Sequence, residues 1–168
     1  MKKWIVTGSV VVLAISLWAQ APKGTGGGVS ARYIDNNDGT VTDTATGLMW
    51  TKNADHGRMS WSNAAAYCDN LITNGYSDWR LPTVAKYGGA AELDKLLREG
   101  ENPSGAWGGV KGTPFTGVQN NFFYWSGTSS TNNTDNAWLV PMGNGYVYYS
   151  NKTSSNYVWP VRGRQQED

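Results

Sequence analysis

The sequence predicts one α+β domain in which short antiparallel strands outnumber two helices. Three observations predict it. Runs of Trp, Tyr and Val recur at short intervals between turns crowded with Asn, Ser, Thr and Gly, most densely over Tyr124–Gln165. Two other stretches, Ser60–Asn74 and Ala90–Glu99, carry apolar residues at helical spacing. Charged residues make up only 16%, while 21 Gly, nine Trp and nine Tyr favour strands and turns over a helical bundle. At 168 residues the chain is long enough for one domain with a hydrophobic core.

The N-terminus reads separately. Lys2 and Lys3 precede the apolar run Trp4–Ala19 and the small residues of Ala19-Gln20-Ala21, the pattern of an export signal over residues 1–21. Pro22 is unfavourable directly after a cleavage site, so cleavage after Ala19 and retention as an uncleaved anchor both stay open. A span takes about 20 apolar residues, and this run is short for one. Membrane contact is therefore expected only if the segment is retained. Residues 22–31 form a Gly-rich linker, residues 32–165 the domain, and residues 166–168 a polar tail.

Within the domain, RYID, TVTD and GLMWTK are strand-like pieces joined by Asn36-Asn37-Asp38-Gly39 and Thr44-Ala45-Thr46-Gly47. Gly supplies the positive φ that such tight connections need, so a small antiparallel meander is expected. The first helix runs over Ser60–Asn74, with Ser60 as N-cap, Ala64, Ala65, Cys68, Leu71 and Ile72 on one stripe, and Gly75 just past the end. Trp79 and Leu81 then alternate around Arg80 until Pro82 ends the segment. The second helix, Ala90–Glu99, places Leu93, Leu96 and Leu97 on one face, and Glu101–Asn121 reads as a long surface loop. Phe123–Thr128, Ala137–Met142, Gly145–Asn151 and Tyr157–Gly163 are the strands of a second sheet. Period-two alternation puts Trp138, Val140 and Met142 on one face; Tyr146 and Tyr148 share a face opposite Val147 and Tyr149.

Charge and side-chain chemistry narrow the function. A formal charge of +1 without a basic cluster argues against nucleic acid. His56 is the single histidine and reads as an exposed loop residue, so a nucleophile–base pair has little to draw on. Zinc requires more His or Cys ligands. Asp35, Asp38 and Asp43 suggest calcium, but the loop pattern fails, because counting back from Gly39 puts the first ligand position on Ile34. Turn chemistry accounts for these residues, and no metal or other cofactor is expected. Cys68 is the only cysteine and reads as a buried, inert thiol, with a disulfide between chains as the alternative.

What remains is contact. Tyr gives rigid amphipathic area, and Ser, Asn and Gly give adaptable hydrogen bonds. Asn132, Asn133, Asp135, Asn136, Tyr146, Tyr148, Tyr149, Asn151, Thr153, Ser154, Asn156 and Tyr157 form such a mixture and are the candidate ligand-binding residues. Trp50, Trp79, Arg80, Trp125, Trp138, Trp159 and Arg162 are assigned to the frame. The bland alternative is that the tyrosines pack on the core and the Asn-Ser runs are only turns.

DNNDGTVTDTATGLMW, AAAYCDNL, GYSDWRLPT, YWSGTS, AWLV, GYVYYSNK and YVWPVRGRQ, in this order, resemble a bacterial family known from the C-terminal domain of collagen-like adhesins. The blocks cover most of Arg32–Gln165. The resemblance implies a C-type-lectin-like fold, two helices flanking small antiparallel β-sheets, and an exported, non-catalytic module that binds a polysaccharide or a protein. The chain departs from the family at an insertion over Lys86–Ala91 and at Pro160, where some relatives carry a cysteine that could pair with the one in the helix. The Glu-Pro-Asn and Trp-Asn-Asp signatures of calcium-dependent lectins are absent. Two alternatives use the same chain differently: a variable protein of a diversity-generating retroelement with the same binding face, or an enzyme using His56 or paired carboxylates.

Overall fold

In the computed structural model, the residues described are 32–84, 92–98, 113–144 and 146–163. The export signal, the linker, the insertion at 86–91, most of the 101–121 loop and the polar tail lie outside them. The domain is mostly β. In chain order it contains β1 (Tyr33–Asp35), β2 (Thr40–Asp43), β3 (Met49–Thr51), β4 (Arg58–Met59) and α1 (Trp61–Asn70). There follow α2 (Leu93–Arg98), β5 (Phe123–Ser129), β6 (Asn136–Pro141), β7 (Tyr148–Asn151), β8 (Asn156–Tyr157) and β9 (Val161–Arg162).

The first sheet has the order β1-β2-β3-β9. Its first three strands are the expected meander, with Gly39 at φ +86° and Gly47 at φ +71° in the two connections. Asp38 Oδ1 accepts the Thr40 N–H at 2.9 Å, an Asx contact that fixes the first turn. Asp43, 2% exposed, is held by a two-bond pair with Arg32 at 2.8 Å, and Asp35 pairs with Lys52 at 2.6 Å. The three aspartates thus serve turns and ion pairs.

The second sheet has the order β4-β8-β5-β6-β7. β6 is buried on both faces, which explains why it reads as a continuous apolar run. Trp138, Val140 and Met142 face one core with Trp50, Tyr124 and Trp159. Ala137 and Leu139 face a second core with Trp125, Val158 and the Ala64–Cys68 side of α1. The tryptophans form the frame: Trp50, Trp79, Trp125, Trp138 and Trp159 are at most 3% exposed. Trp159 donates to Thr51 O and Trp125 to Met59 O, both at 2.9 Å.

Four expectations are corrected. Among the described residues there is one full helix rather than two; α2 spans six residues, under two turns. α1 ends at Asn70, because Leu71 is extended and Asn74 and Gly75, both at positive φ, close a separate turn between Thr73 and Tyr76. Ile72, placed on the helix stripe, is 74% exposed. Ser60 is the N-cap as expected, although its side chain makes no capping bond.

The fourth correction concerns the C-terminal strand. Residues 157–163 do not form one strand; β8 belongs to the second sheet and β9 to the first. Pro160, which has no N–H to donate, lies between them and gives its carbonyl to Thr51 N at 3.2 Å. The chain therefore passes from one sheet to the other through Val158 and Trp159.

Candidate functional site

β7 and β8 are adjacent in sequence but separated in the sheet by β6 and β5. Their connection must cross the sheet, and it does so beside α1. Lys152 O accepts the Trp61 N–H at 2.9 Å, and the Lys152 ammonium lies 4.4 Å from the Trp61 ring. Lys152 N in turn donates to Asp135 O at 2.8 Å. Asn151 Oδ1 accepts from the Thr153 N–H at 2.9 Å and hydroxyl at 2.7 Å, so the crossover starts in a closed turn.

Between this connection and the sheet lies an open groove of about 600 Å³. Its wall draws on every strand of the second sheet: Arg58 of β4, Asn156 of β8, Phe123 of β5, Leu139 of β6, and Tyr148, Tyr149 and Ser150 of β7. Ser154 and Ser155 of the crossover complete it. Phe123 and Tyr148 meet edge to face, 6.1 Å between centroids and 89° between planes. Tyr149 stands edge-on to the buried Trp138 at 5.5 Å. Ser150 and Ser154 share a hydrogen bond at 3.2 Å. Arg58 donates from Nε and Nη2 to Ser155 O at 3.2 and 2.7 Å, and its guanidinium lies over the Phe122 ring at 5.6 Å.

Asn156 is the distinctive member. It is 8% exposed, and its buried Nδ2 has no hydrogen-bond acceptor among the described residues. An unmet buried donor costs about 1–3 kcal/mol. The indole N–H groups of Trp50 and Trp79 also lack acceptors, but neither residue borders the groove.

The structure divides the sequence candidates. Tyr148, Tyr149, Ser154 and Asn156 line the groove. Tyr146 is 63% exposed but lies outside its wall. Asn132, Asn133 and Asp135 are exposed in the β5–β6 turn, where Asn133 Oδ1 accepts the Asp135 N–H at 3.0 Å. Asn136 pairs across the ladder with Asn151. Thr153 is held in its turn, and Tyr157, half-buried, packs on Tyr124 and Phe122. Sequence reasoning missed Arg58, Phe123, Leu139, Ser150 and Ser155. Only Phe123 carried a signal: with Tyr124 in one core, alternation sends its neighbour to the opposite face.

His56 is not a free loop residue. Its Nε2 lies 3.0 Å from both Asn53 O and Thr51 Oγ1, and its Nδ1 lies 2.7 Å from the Tyr67 hydroxyl. A carbonyl can only accept, so Nε2 carries the proton and Nδ1 accepts from Tyr67. The ring thereby pins the 53–57 loop to α1, and burial lowers its pKa. Cys68 is fully buried against the second core, with a thiol pKa pushed up to about 12 by burial and by the Asp69 charge. That placement takes the thiol out of reach of another chain.

These features define a mostly β domain, with one full helix among the described residues and an open, mixed polar and aromatic groove along one sheet. Residues 39–162 match the model of the Lcl C-terminal domain, the C-terminal domain of Lcl collagen-like proteins, and the chain belongs to that family. The family is associated with collagen-like adhesin proteins. A comparison with curated proteins returns no match.

Proposed function

We propose that this protein is a non-catalytic binding or adhesion module, exported to the cell envelope or beyond, which recognises a polysaccharide or a protein through the groove beside β7. The observation that carries this reading is the groove itself. It combines exposed aromatic rings with polar groups of Arg58, Ser154 and Asn156, and the buried Asn156 Nδ2 lacks an acceptor among the described residues. Tyr148 and Tyr149, 45% and 61% exposed, supply contact area at low entropic cost. The C-type-lectin-like relationship implied by the sequence belongs to this reading, as does export through residues 1–21.

The test is a screen of the purified chain against arrayed polysaccharides and surface proteins, repeated with Tyr148→Ser and Asn156→Asp. Binding that weakens by about tenfold or more in both, with unchanged circular dichroism, supports the groove as the site. Ligands that bind both variants like the parent would place the site elsewhere.

A further inference from the structure

Each sheet has two edge strands, and three of the four are guarded. β1 carries Asp35, paired with Lys52. β4 carries Arg58. β9 carries Arg162, and its outer side is already taken by the main chain of Arg80, bonded to Val161. Charged residues and covering segments of this kind keep an open edge from adding another strand. β7, Tyr148-Tyr149-Ser150-Asn151, is the longest of the four and has no charge, no proline and no bulge. Its two tyrosines are exposed.

The ladder fixes which main-chain groups point outward. Lys152 N donates to Asp135 O, so the alternate positions Ser150 and Tyr148 bond to Ala137 and Leu139 of β6. Tyr149, between them, turns its N–H and C=O to the outer edge. Among the described residues, no hydrogen bond reaches Tyr149 from that side.

A second β7 answers these groups. Set antiparallel about a two-fold axis normal to the sheet, Tyr149 of each copy donates its N–H to the Tyr149 carbonyl of the other. The same register puts Tyr148 opposite Ser150 of the second copy, a large side chain against a small one on both sides of the axis. It also sets the two Tyr149 rings beside each other, each next to its own Trp138. Neither strand brings a charge to the junction. A strand of another protein would need this same uncharged, large-small pattern, and β7 itself supplies it.

We propose that β7 pairs with β7 of a second copy of this chain, Tyr149 to Tyr149, making one continuous sheet across an isologous dimer. The pairing does not require the groove to be the ligand site. Its consequence for that site is geometric: a two-fold normal to the sheet leaves both grooves on one face. A long ligand held in one groove then meets the second at high effective concentration.

The experiment is sedimentation equilibrium of the full chain across a wide concentration range. The parent is expected to approach twice the monomer mass of 18.3 kDa. Tyr149→Lys and Tyr149→Glu each set like charges against each other at the axis and should weaken the dimer by about tenfold or more. Mixed in equal amounts, the two variants should recover it, because opposite charges then face each other. A parent that stays monomeric overturns the proposal and leaves the edge to a strand of another protein. A dimer that both variants keep at parental strength also overturns it, since association then runs through another surface, such as the apolar run at residues 4–19. Loss in both variants without recovery in the mixture overturns it as well.

Discussion

Arg80 and Glu92 meet side by side, Nη1 on Oε2 and Nη2 on Oε1, both at 2.6 Å. Glu92 is 4% exposed and also accepts the Thr83 N–H at 2.9 Å, while Arg80 Nη2 reaches Gly163 O at 2.8 Å. The Arg80 backbone bridges Val161 of β9 through bonds of 2.9 and 3.0 Å. One pair therefore ties the segment after α1, the start of α2 and the C-terminal strand to a single point.

Removing the charge from the buried partner leaves Arg80 without a counter-ion. Glu92→Gln is expected to lower stability by about 2–3 kcal/mol, below the full value for a buried pair because Arg80 is partly solvated. Urea unfolding followed by tryptophan fluorescence measures it; a change within about 0.5 kcal/mol would show the pair to be incidental.

The His56 clamp makes stability depend on pH. Burial lowers the folded-state pKa, and the Asn53 carbonyl and the Asp55 charge offset it in part. The unfolded chain, with a pKa near 6.5, then binds the proton more readily than the folded one. Stability is full above about pH 6.5 and falls as pH drops through the folded-state value, levelling below it. His56→Gln should flatten that part of the profile between about pH 7.5 and 5, and a parent and variant with parallel profiles would remove His56 as the cause.

Cys68 should resist chemistry until the domain opens. With its pKa pushed up to about 12 and no exposed surface, it is expected to be inert to a thiol reagent under native conditions and to react in urea at the unfolding rate. Cys68→Ser buries a hydroxyl in an apolar cluster and should cost about 1–3 kcal/mol. Rapid labelling of the native protein would contradict both.

Gly117 docks the 113–119 segment onto the 53–55 loop. Thr116 and Ala54 share a backbone bond at 2.8 Å, and Gly117 sits at φ +70°. A Cβ there would overlap Asn53 Oδ1 and approach Asp55 Cβ to 3.2 Å. Gly117→Ala combines left-handed strain with that overlap, so a loss of about 1–3 kcal/mol is expected in a thermal melt. Gly57→Ala, also at positive φ but in open space, should cost less.

Within the Tyr-rich segment, binding should separate neighbours. Tyr148→Ser removes one ring of the Phe123–Tyr148 pair and should weaken a groove ligand by about tenfold or more. Tyr146→Ser, outside the wall, should change affinity less than about twofold. Equal losses would extend the contact surface beyond the groove.

The frame was readable from local chemistry. Asp-Gly and Thr-Gly marked the two turns of the meander, Ser60 marked the start of α1, and the tryptophans of strand-like runs proved buried. Each of these is settled by residues a few positions apart. The end of α1 was misread because Leu71 and Ile72 keep helical spacing after the backbone has already turned extended at Leu71. Gly75, read as the helix stop, serves the next turn instead.

Sequence by itself therefore determined the turns, the apolar frame and the buried cysteine, and it named the Tyr-, Asn- and Ser-rich candidates for contact. Tertiary structure alone decided which of those surface residues share a site. Tyr124–Gln165 is not one face: its last strand splits between two sheets, and its crossover doubles back over the second. Arg58 and Ser155, 97 positions apart, meet only because β4 pairs with β8. Strand order across a sheet depends on which distant segments bury each other, and no local alternation of residues encodes it.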